Sequence, residues 1–135
     1  MIKWDDKYSV GVSKIDEEHK KFIDIINIYK AIYVIPHDDR TRAISEILVE
    51  IIAYAEKHFK TEETYMINFK YYDYKSHKDE HNRFSKIISN YWQELADNKF
   101  KVTDAILEHL KQWLVNHIQV TDKKYVICFN ENGLT

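Results

Sequence analysis

The sequence contains little glycine, proline or cysteine. Two glycines and one proline in 135 residues are too few for many strands joined by tight turns, so we expect long helices with few connections. A single cysteine, Cys128, excludes a disulfide framework and a zinc site built from thiolates. At 44% hydrophobic residues, the chain can bury a core without such cross-links.

Long apolar runs and an excess of one charge are also missing. The longest apolar run is five residues, 31–35, which is far too short to span a bilayer, and the N-terminal MIKWDDKYSV lacks the layout of a signal peptide. The net charge is −2 and charges of both signs are mixed, so there is no basic face for nucleic acid. We therefore expect a cytoplasmic protein that binds neither nucleic acid nor a membrane.

Helical periodicity divides the chain into four main segments. Apolar residues recur at steps of three and four, and Pro36, the aromatic NFKYYD and the polar ADNKF separate the runs. The predicted elements are an arm at 1–16, helices at about 17–35, 41–66, 74–97 and 103–122, and a short C-terminal tail. Short connections favour antiparallel neighbours, so we expect an all-α, up-and-down antiparallel four-helix bundle that forms one domain over residues 1–135.

The apolar stripe of each predicted helix turns polar toward one end. In the first helix, for example, the stripe of Phe22 and Ile26 extends back to His19. In an up-and-down bundle these polar ends meet at the same end, and burying five histidines together would be very costly unless they bind something. The converging residues are His19, His58, Glu62, His77, His81 and His117.

This residue set indicates a metal site. Imidazole and carboxylate ligands without sulfur suit iron, zinc, copper or manganese, and the residue types alone leave the metal open. Five histidines exceed what one ion normally takes, so two ions fit better. The spacings H-x-x-x-E and H-x-x-x-H also differ from the Glu-x-x-His of ferritin-like di-iron sites, and they are richer in nitrogen.

The motifs in order resemble those of a known family. His19 in IDEEHK, HFKTE at 58–62, HKDEH at 77–81 and HIQVTD at 117–122 are similar to the hemerythrin family, most closely to its single-domain bacteriohemerythrins. WLVNHI and the arm residues Trp4 and Tyr8 are similar as well, so the resemblance covers nearly the whole chain.

The resemblance implies a non-haem di-iron centre that binds O2 reversibly, for oxygen storage, transport or sensing. One iron would be held by His77, His81 and His117, and the other by His19 and His58, which leaves one position open. Glu62 and Asp122 would bridge the two irons, together with an oxo or hydroxo group. By matched position, the O2 pocket would be lined by Phe22, Phe59, Trp113, Leu114 and Ile118. The alternative is that these are plain core residues, and the two interpretations are compatible.

Two other functions use the same residues. A di-iron enzyme, such as an oxidase, a peroxidase or a nitric oxide scavenger, is the main alternative, but the sequence offers no obvious acid or base beyond the ligands. The second alternative is a structural zinc site. Seven candidate ligands argue against it, because structural zinc is four-coordinate. An O2-consuming or signalling partner remains to be identified.

Four residues near the predicted ligands need separate predictions. Asp122 follows His117 by five residues, about 140° around a straight helix, so we expect a π-type turn or a frayed helix end there. Glu63 is expected to be exposed or hydrogen-bonded to a ligand. His37 should be solvated in a loop, and His109 should be a hydrogen-bonded core or boundary residue.

Overall fold

The computed structural model describes residues 2–31, 37–97 and 104–135. We label its five α-helices in chain order, after a short 3-10 turn at Asp6–Tyr8 in the N-terminal arm. They are α1 (Ser13–Ala31), α2 (His37–Asn68), α3 (Tyr74–Ala96), α4 (Asp104–Asn116) and α5 (Val126–Glu131), with a π-type turn at His117–Thr121 and a 3-10 turn at Asp122–Tyr125 between the last two. The described residues contain no strand, as the all-α prediction requires.

The four long helices form an up-and-down bundle. α1 packs against α2 and α4, and α2 packs against α3. Residues from the beginning of α1, the end of α2, the beginning of α3 and the segment after α4 meet in one cluster, so successive helices run in opposite directions. The predicted fold class is confirmed. None of the described helices is long and apolar enough to cross a membrane.

The first helix begins earlier than the predicted residue 17. Gly11, at φ +67°, turns the chain out of the arm, and α1 begins at Ser13. The Asp16 carboxylate then accepts hydrogen bonds from the Val10 N–H, at 2.8 Å, and from the Ser9 hydroxyl, at 2.6 Å. Asp16 therefore lies in the first turn of the helix and holds the arm against it.

The second helix is longer at both ends than the predicted 41–66. It begins at His37, so this histidine is not in a loop. It ends at Asn68 with a left-handed residue, Lys70 at φ +54°, and the Tyr71 N–H donates to the Met66 carbonyl at 2.8 Å. The predicted end of the first helix at 35 and the start of the fourth at 103 lie outside the described residues.

The C-terminal segment is more ordered than the predicted tail. After the two turns, α5 runs to Glu131. Tyr125 and Phe129 are fully buried, and their rings stack at 4.1 Å between centroids. The segment therefore contributes to the core at the cluster end of the bundle, because these aromatic side chains remove a large apolar area from water.

Candidate metal centre

The bundle brings all seven predicted ligand residues together. Each comes from near one end of its helix, and each is buried, with 2% or less of its surface exposed. The ligand-capable atoms form two groups, and within each group they lie within 4.8 Å of one another. One group is Glu62, His77, His81, His117 and Asp122, and the other is His19, His58, Glu62 and Asp122.

The two carboxylates belong to both groups. Glu62 Oε1 lies 3.1 Å from His58 Nε2 and 3.4 Å from His19 Nε2. Its other oxygen, Oε2, lies 3.1 Å from His81 Nε2 and 3.3 Å from His77 Nε2. Each oxygen of Glu62 therefore faces a different set of histidines, which is the arrangement that a bridging carboxylate needs.

Asp122 is divided in the same way. Its Oδ2 lies 3.0 Å from His19 Nε2. Its Oδ1 lies 3.0 Å from His77 Nε2 and 2.9 Å from His117 Nε2. The two carboxylates thus join a group with three histidines to a group with two.

A wider helical turn carries Asp122 to this position. The Asp122 N–H donates to the carbonyl of His117, five residues earlier, across the π-type turn His117–Thr121. The wider turn places Asp122 on the same side of the helix as His117, although a regular helix would rotate it by about 140°. The first of the two alternatives predicted for Asp122 is therefore confirmed.

The donor set fits two metal ions. Seven buried side-chain atoms have no hydrogen-bond partner among the described residues, and all of them belong to five of these ligand candidates. Leaving so many polar atoms unpaired is costly, whereas cations between them would satisfy histidine nitrogens and carboxylate oxygens together. The atoms are Nδ1 and Nε2 of His19, Nε2 of His58, Nε2 of His77, Oε2 of Glu62, and both carboxylate oxygens of Asp122.

Comparison with known proteins gives the family. The family model described as "Hemerythrin HHE cation binding domain" matches residues 10–126. The chain belongs to the hemerythrin family. Among its relatives are the bacteriohemerythrin of Clostridium acetobutylicum, 32% identical over 93% of this chain and 99% of the relative, and the myohemerythrin of Theromyzon tessulatum, 35% identical over 90% and 88%. A crystal structure of wild-type hemerythrin superposes with a TM-score of 0.87 at 27% identity, covering 95% of this chain and 97% of that one.

Three glutamates of this chain contact candidate ligand histidines from outside the cluster. They form hydrogen bonds with the Nδ1 atoms that point away from the centre: Glu18 with His58 at 3.0 Å, Glu63 with His81 at 3.0 Å, and Glu80 with His117 at 2.7 Å. Such contacts fix the ring orientation and the tautomer, and they leave Nε2 free for a metal. Each glutamate reaches from one helix to a histidine of the next segment, so the contacts also tie the bundle together.

Sequence reasoning found only one of these glutamates. Glu63 was predicted to be exposed or hydrogen-bonded to a ligand, and it contacts His81. Glu18 and Glu80 were missed, although each directly precedes a candidate ligand in the sequence, which was a usable signal. The Thr121 hydroxyl also lies 3.0 Å from both oxygens of Glu80 and helps to hold it.

Of the two remaining histidines, only His109 has a described side chain, and it lies outside the cluster. His109 is exposed, and its Nδ1 lies 2.9 Å from the Tyr91 hydroxyl. The predicted hydrogen bond is therefore present, but the predicted core or boundary position is wrong, because α4 turns this residue outward. His37 begins α2, and its side chain lies outside the described part of the structure.

Aromatic side chains cover the histidines on the inner side of the cluster. The Phe59 ring stacks on His81 at 3.8 Å between centroids, and the half-buried Trp113 stacks on His117 at 4.6 Å. Phe22 meets the ring of His58 edge-on at 6.4 Å.

Three further apolar residues extend this layer. Leu114 and Ile118 are buried in the same core. Phe84, which sequence reasoning did not assign to the pocket, stacks on Trp113 at 4.0 Å. The layer borders the polar cluster and limits the access of water to it.

Tyr125 is a second residue that sequence reasoning missed. Its hydroxyl donates to Glu62 Oε1 at 2.9 Å, and its ring stacks on His77 at 5.7 Å between centroids. Burial, with the charges of Glu62 and Asp122, raises the pKa of Tyr125 well above its ordinary value, so the hydroxyl keeps its proton. Tyr125 therefore holds one oxygen of the shared carboxylate, and it would draw some of the negative charge of Glu62 away from bound metals.

Replacing Tyr125 with phenylalanine should keep the ring packing and remove this hydrogen bond. A bond to a charged group contributes about 1.5 to 3 kcal/mol, so we expect the free energy of unfolding to fall by about that amount. Glu62 would also donate more charge, so the iron centre should oxidise faster to the ferric form. Urea unfolding and the rate of autoxidation measure the two effects. Tyr72→Phe, which loses the hydroxyl of a tyrosine that is 87% exposed, is the matched control and should change neither.

The histidines and carboxylates shift one another's pKa values. Burial lowers the pKa of the histidines, but contacts with Glu62 and Asp122 outweigh it and raise the pKa of His58 and His77 to about 9 and that of His117 to about 10. The same contacts hold the pKa of Glu62 and Asp122 below its ordinary range, although burial raises it. In the metal-free protein these three histidines are therefore protonated at neutral pH.

This protonation predicts a pH dependence with a defined sign. A histidine must be neutral to bind a metal, so loading should release protons and should strengthen as the pH rises toward about 9 to 10. A raised histidine pKa stabilises the fold below the unfolded value of about 6.5, and this contribution is lost as the pH rises through 9 to 10. We expect the metal-free protein to lose stability over that range while the loaded protein does not. Urea unfolding of both forms at pH 6, 8 and 10 tests this expectation. The same change in the free energy of unfolding with pH in both forms would contradict it.

Proposed function

We propose that this chain holds two iron ions and binds O2 reversibly between them and the aromatic layer, for oxygen storage, transport or sensing. The observation that carries the proposal is the pair of ligand groups that share Glu62 and Asp122 but differ in their number of histidines. Three histidines would fill one iron, and two would leave the other with an open position. When bound, the iron pair would supply two electrons to O2 and recover them when O2 is released.

Each protein residue then has a defined role. His77, His81 and His117 would hold the full iron, and His19 and His58 the open one. Glu62 and Asp122 would join the irons, together with an oxo or hydroxo bridge. The glutamates outside the cluster hold the rings in place, and Tyr125 holds Glu62.

The apolar layer supports reversibility. Phe22, Phe59, Trp113, Leu114 and Ile118 would line the O2 pocket, with Phe84 behind Trp113. Water and anions that reached the open iron would displace O2 or promote oxidation, so an apolar lining favours its intact release. The family match and the relatives named bacteriohemerythrin and myohemerythrin favour the carrier over an oxidase, a peroxidase or a nitric oxide scavenger.

We further propose that residues 1–135 form a single hemerythrin-like domain that acts in the cytoplasm. The extent of the family match supports the domain, and so does the packing of the arm, where the Ile2 N–H donates to Asn27 Oδ1 of α1 at 2.9 Å. A separate O2-consuming or signalling protein would use the bound O2.

The proposal is tested by adding O2 to the reduced, iron-loaded protein and then removing it, while the visible absorption is recorded. A carrier should develop a new absorption band that disappears on deoxygenation and returns over repeated cycles. Irreversible conversion to the ferric form with accumulation of hydrogen peroxide would support the enzyme instead. No response to O2, with zinc bound in preference to iron, would indicate a structural site.

A further inference from the structure

A surface pocket lies between the beginning of α1 and the C-terminal half of α2, outside the metal cluster. Its volume is about 370 Å³. Three lysines, two threonines and one tyrosine line it, and no acidic residue does. The lining residues are Lys14, Lys57, Lys60, Thr61, Thr64 and Tyr65.

In this lysine pocket, none of the three lysines forms an ion pair among the described residues. All three lysines are exposed, and the lysine and arginine ion pairs in residues 2–31, 37–97 and 104–135 involve other cations. Lys14 instead places its Nζ over the Tyr65 ring, 5.8 Å from the centroid. Three positive charges around a concave surface, on a chain with a net charge of −2, form a site for a compact anion with several charges.

A hydroxyl group in the pocket wall connects it to the metal centre. Thr61 Oγ1 lies 3.1 Å from Glu18 Oε1 and 3.2 Å from the Lys57 carbonyl. A hydroxyl has one proton, so Thr61 donates to one acceptor at a time and can turn toward an anion in the pocket. The other oxygen of Glu18, Oε2, lies 3.0 Å from Nδ1 of His58.

We propose that the lysine pocket binds a phosphate group, as free phosphate or as a small phosphate ester, and that binding is transmitted to His58 through Thr61 and Glu18. The lysine ammonium groups and the Thr61 hydroxyl match the several acceptor oxygens of phosphate. A volume of about 370 Å³ suits a small molecule better than the surface of a macromolecule. The binding step is independent of the proposed function, whereas the transmitted effect rests on the iron site.

The expected direction of the effect follows from these contacts. When Thr61 turns toward the anion, Glu18 loses a hydrogen-bond donor and becomes a stronger acceptor for the His58 N–H. The His58 ring then donates more charge to its metal, which stabilises the ferric state. Phosphate should therefore lower the reduction potential of the iron centre.

Binding is tested by calorimetric titration of the metal-loaded protein with inorganic phosphate and with glycerol phosphate at constant ionic strength. The variant Lys14→Gln/Lys57→Gln/Lys60→Gln should bind about tenfold more weakly or worse, because charge-assisted hydrogen bonds are lost. The matched variant Lys3→Gln/Lys75→Gln/Lys86→Gln, which loses the same charge from exposed lysines elsewhere, should bind like the wild type. Tighter binding of one titrant would identify the source of the phosphate group. Equal affinity in all three proteins would overturn the proposal, and it would also show that any phosphate bound goes to another site, such as the irons.

Transmission is tested by the reduction potential with and without phosphate. Thr61→Val keeps the shape of the pocket wall and removes the hydroxyl, so this variant should still bind phosphate but show a smaller drop in potential than the wild type. The same drop in both proteins, or no drop in the wild type, would overturn the transmission through Thr61. Because calorimetry does not depend on O2, failure of this proposal is distinguishable from failure of O2 binding.

Discussion

Replacing Glu62 with glutamine is expected to leave at most one tightly bound iron per chain. Oε1 of Glu62 faces His19 and His58, and Oε2 faces His77 and His81, each at 3.1 to 3.4 Å. Glutamine has the same shape, but its NH2 group is a donor and cannot face a cation. One of the two metal groups therefore loses an oxygen ligand, and the other keeps only a neutral one.

The size of this effect should be large. Loss of residues that only orient a ligand typically lowers metal affinity by about 10- to 100-fold, so loss of a shared ligand should cost about 100-fold or more. Iron per chain, measured by elemental analysis after dialysis, gives the result directly. Glu56→Gln, an exposed glutamate on the same helix, is the matched control and should keep both irons. Two irons and an unchanged spectrum in Glu62→Gln would show that Glu62 does not bridge.

Removal of the metal is expected to lower the melting temperature by about 10 to 15 °C. A ligand at about 1,000 times its dissociation constant stabilises the folded state by about 4 kcal/mol, which corresponds to a shift of that size for a chain of this length. The physical cause is the set of buried atoms of His19, His58, Glu62, His77 and Asp122, which have no hydrogen-bond partner among the described residues and face mainly one another.

Scanning calorimetry of the loaded, the chelator-treated and the reloaded protein measures this shift. Reloading with iron should restore the melting temperature, which excludes damage by the chelator. Equal melting temperatures for the loaded and metal-free forms would mean that the cluster satisfies its polar groups without a metal, contrary to the unpaired atoms seen here.

The bundle and the position of the cluster were predictable because both follow from the spacing of apolar residues at steps of three and four. The apolar stripe that contains Phe22 extends back to His19, and the apolar stripe of the second helix extends forward to His58 and Glu62. The periodicity that predicts the helices therefore also predicts which residues form the polar cluster. Asp122 was harder, because only a π-type turn brings it to His117, and the turn was foreseen because five residues do not fit a regular helix.

The missed features depend on packing between elements. Tyr125 follows a polar segment, and nothing in its sequence context shows that the 3-10 turn Asp122–Tyr125 places the hydroxyl on Glu62. Glu18 and Glu80 each contact a histidine of another segment, and this depends on the relative rotation of neighbouring helices. Spacing within one helix does not contain that information.

The most direct test of the central claim is the amount of O2 taken up per iron by the reduced protein, measured with a gas electrode or manometer. A centre in which Glu62 and Asp122 join two irons, only one of them open, should take up one O2 for every two irons and return it when the O2 pressure is lowered. Uptake of one O2 per iron, or consumption of O2 without its return, would contradict the account.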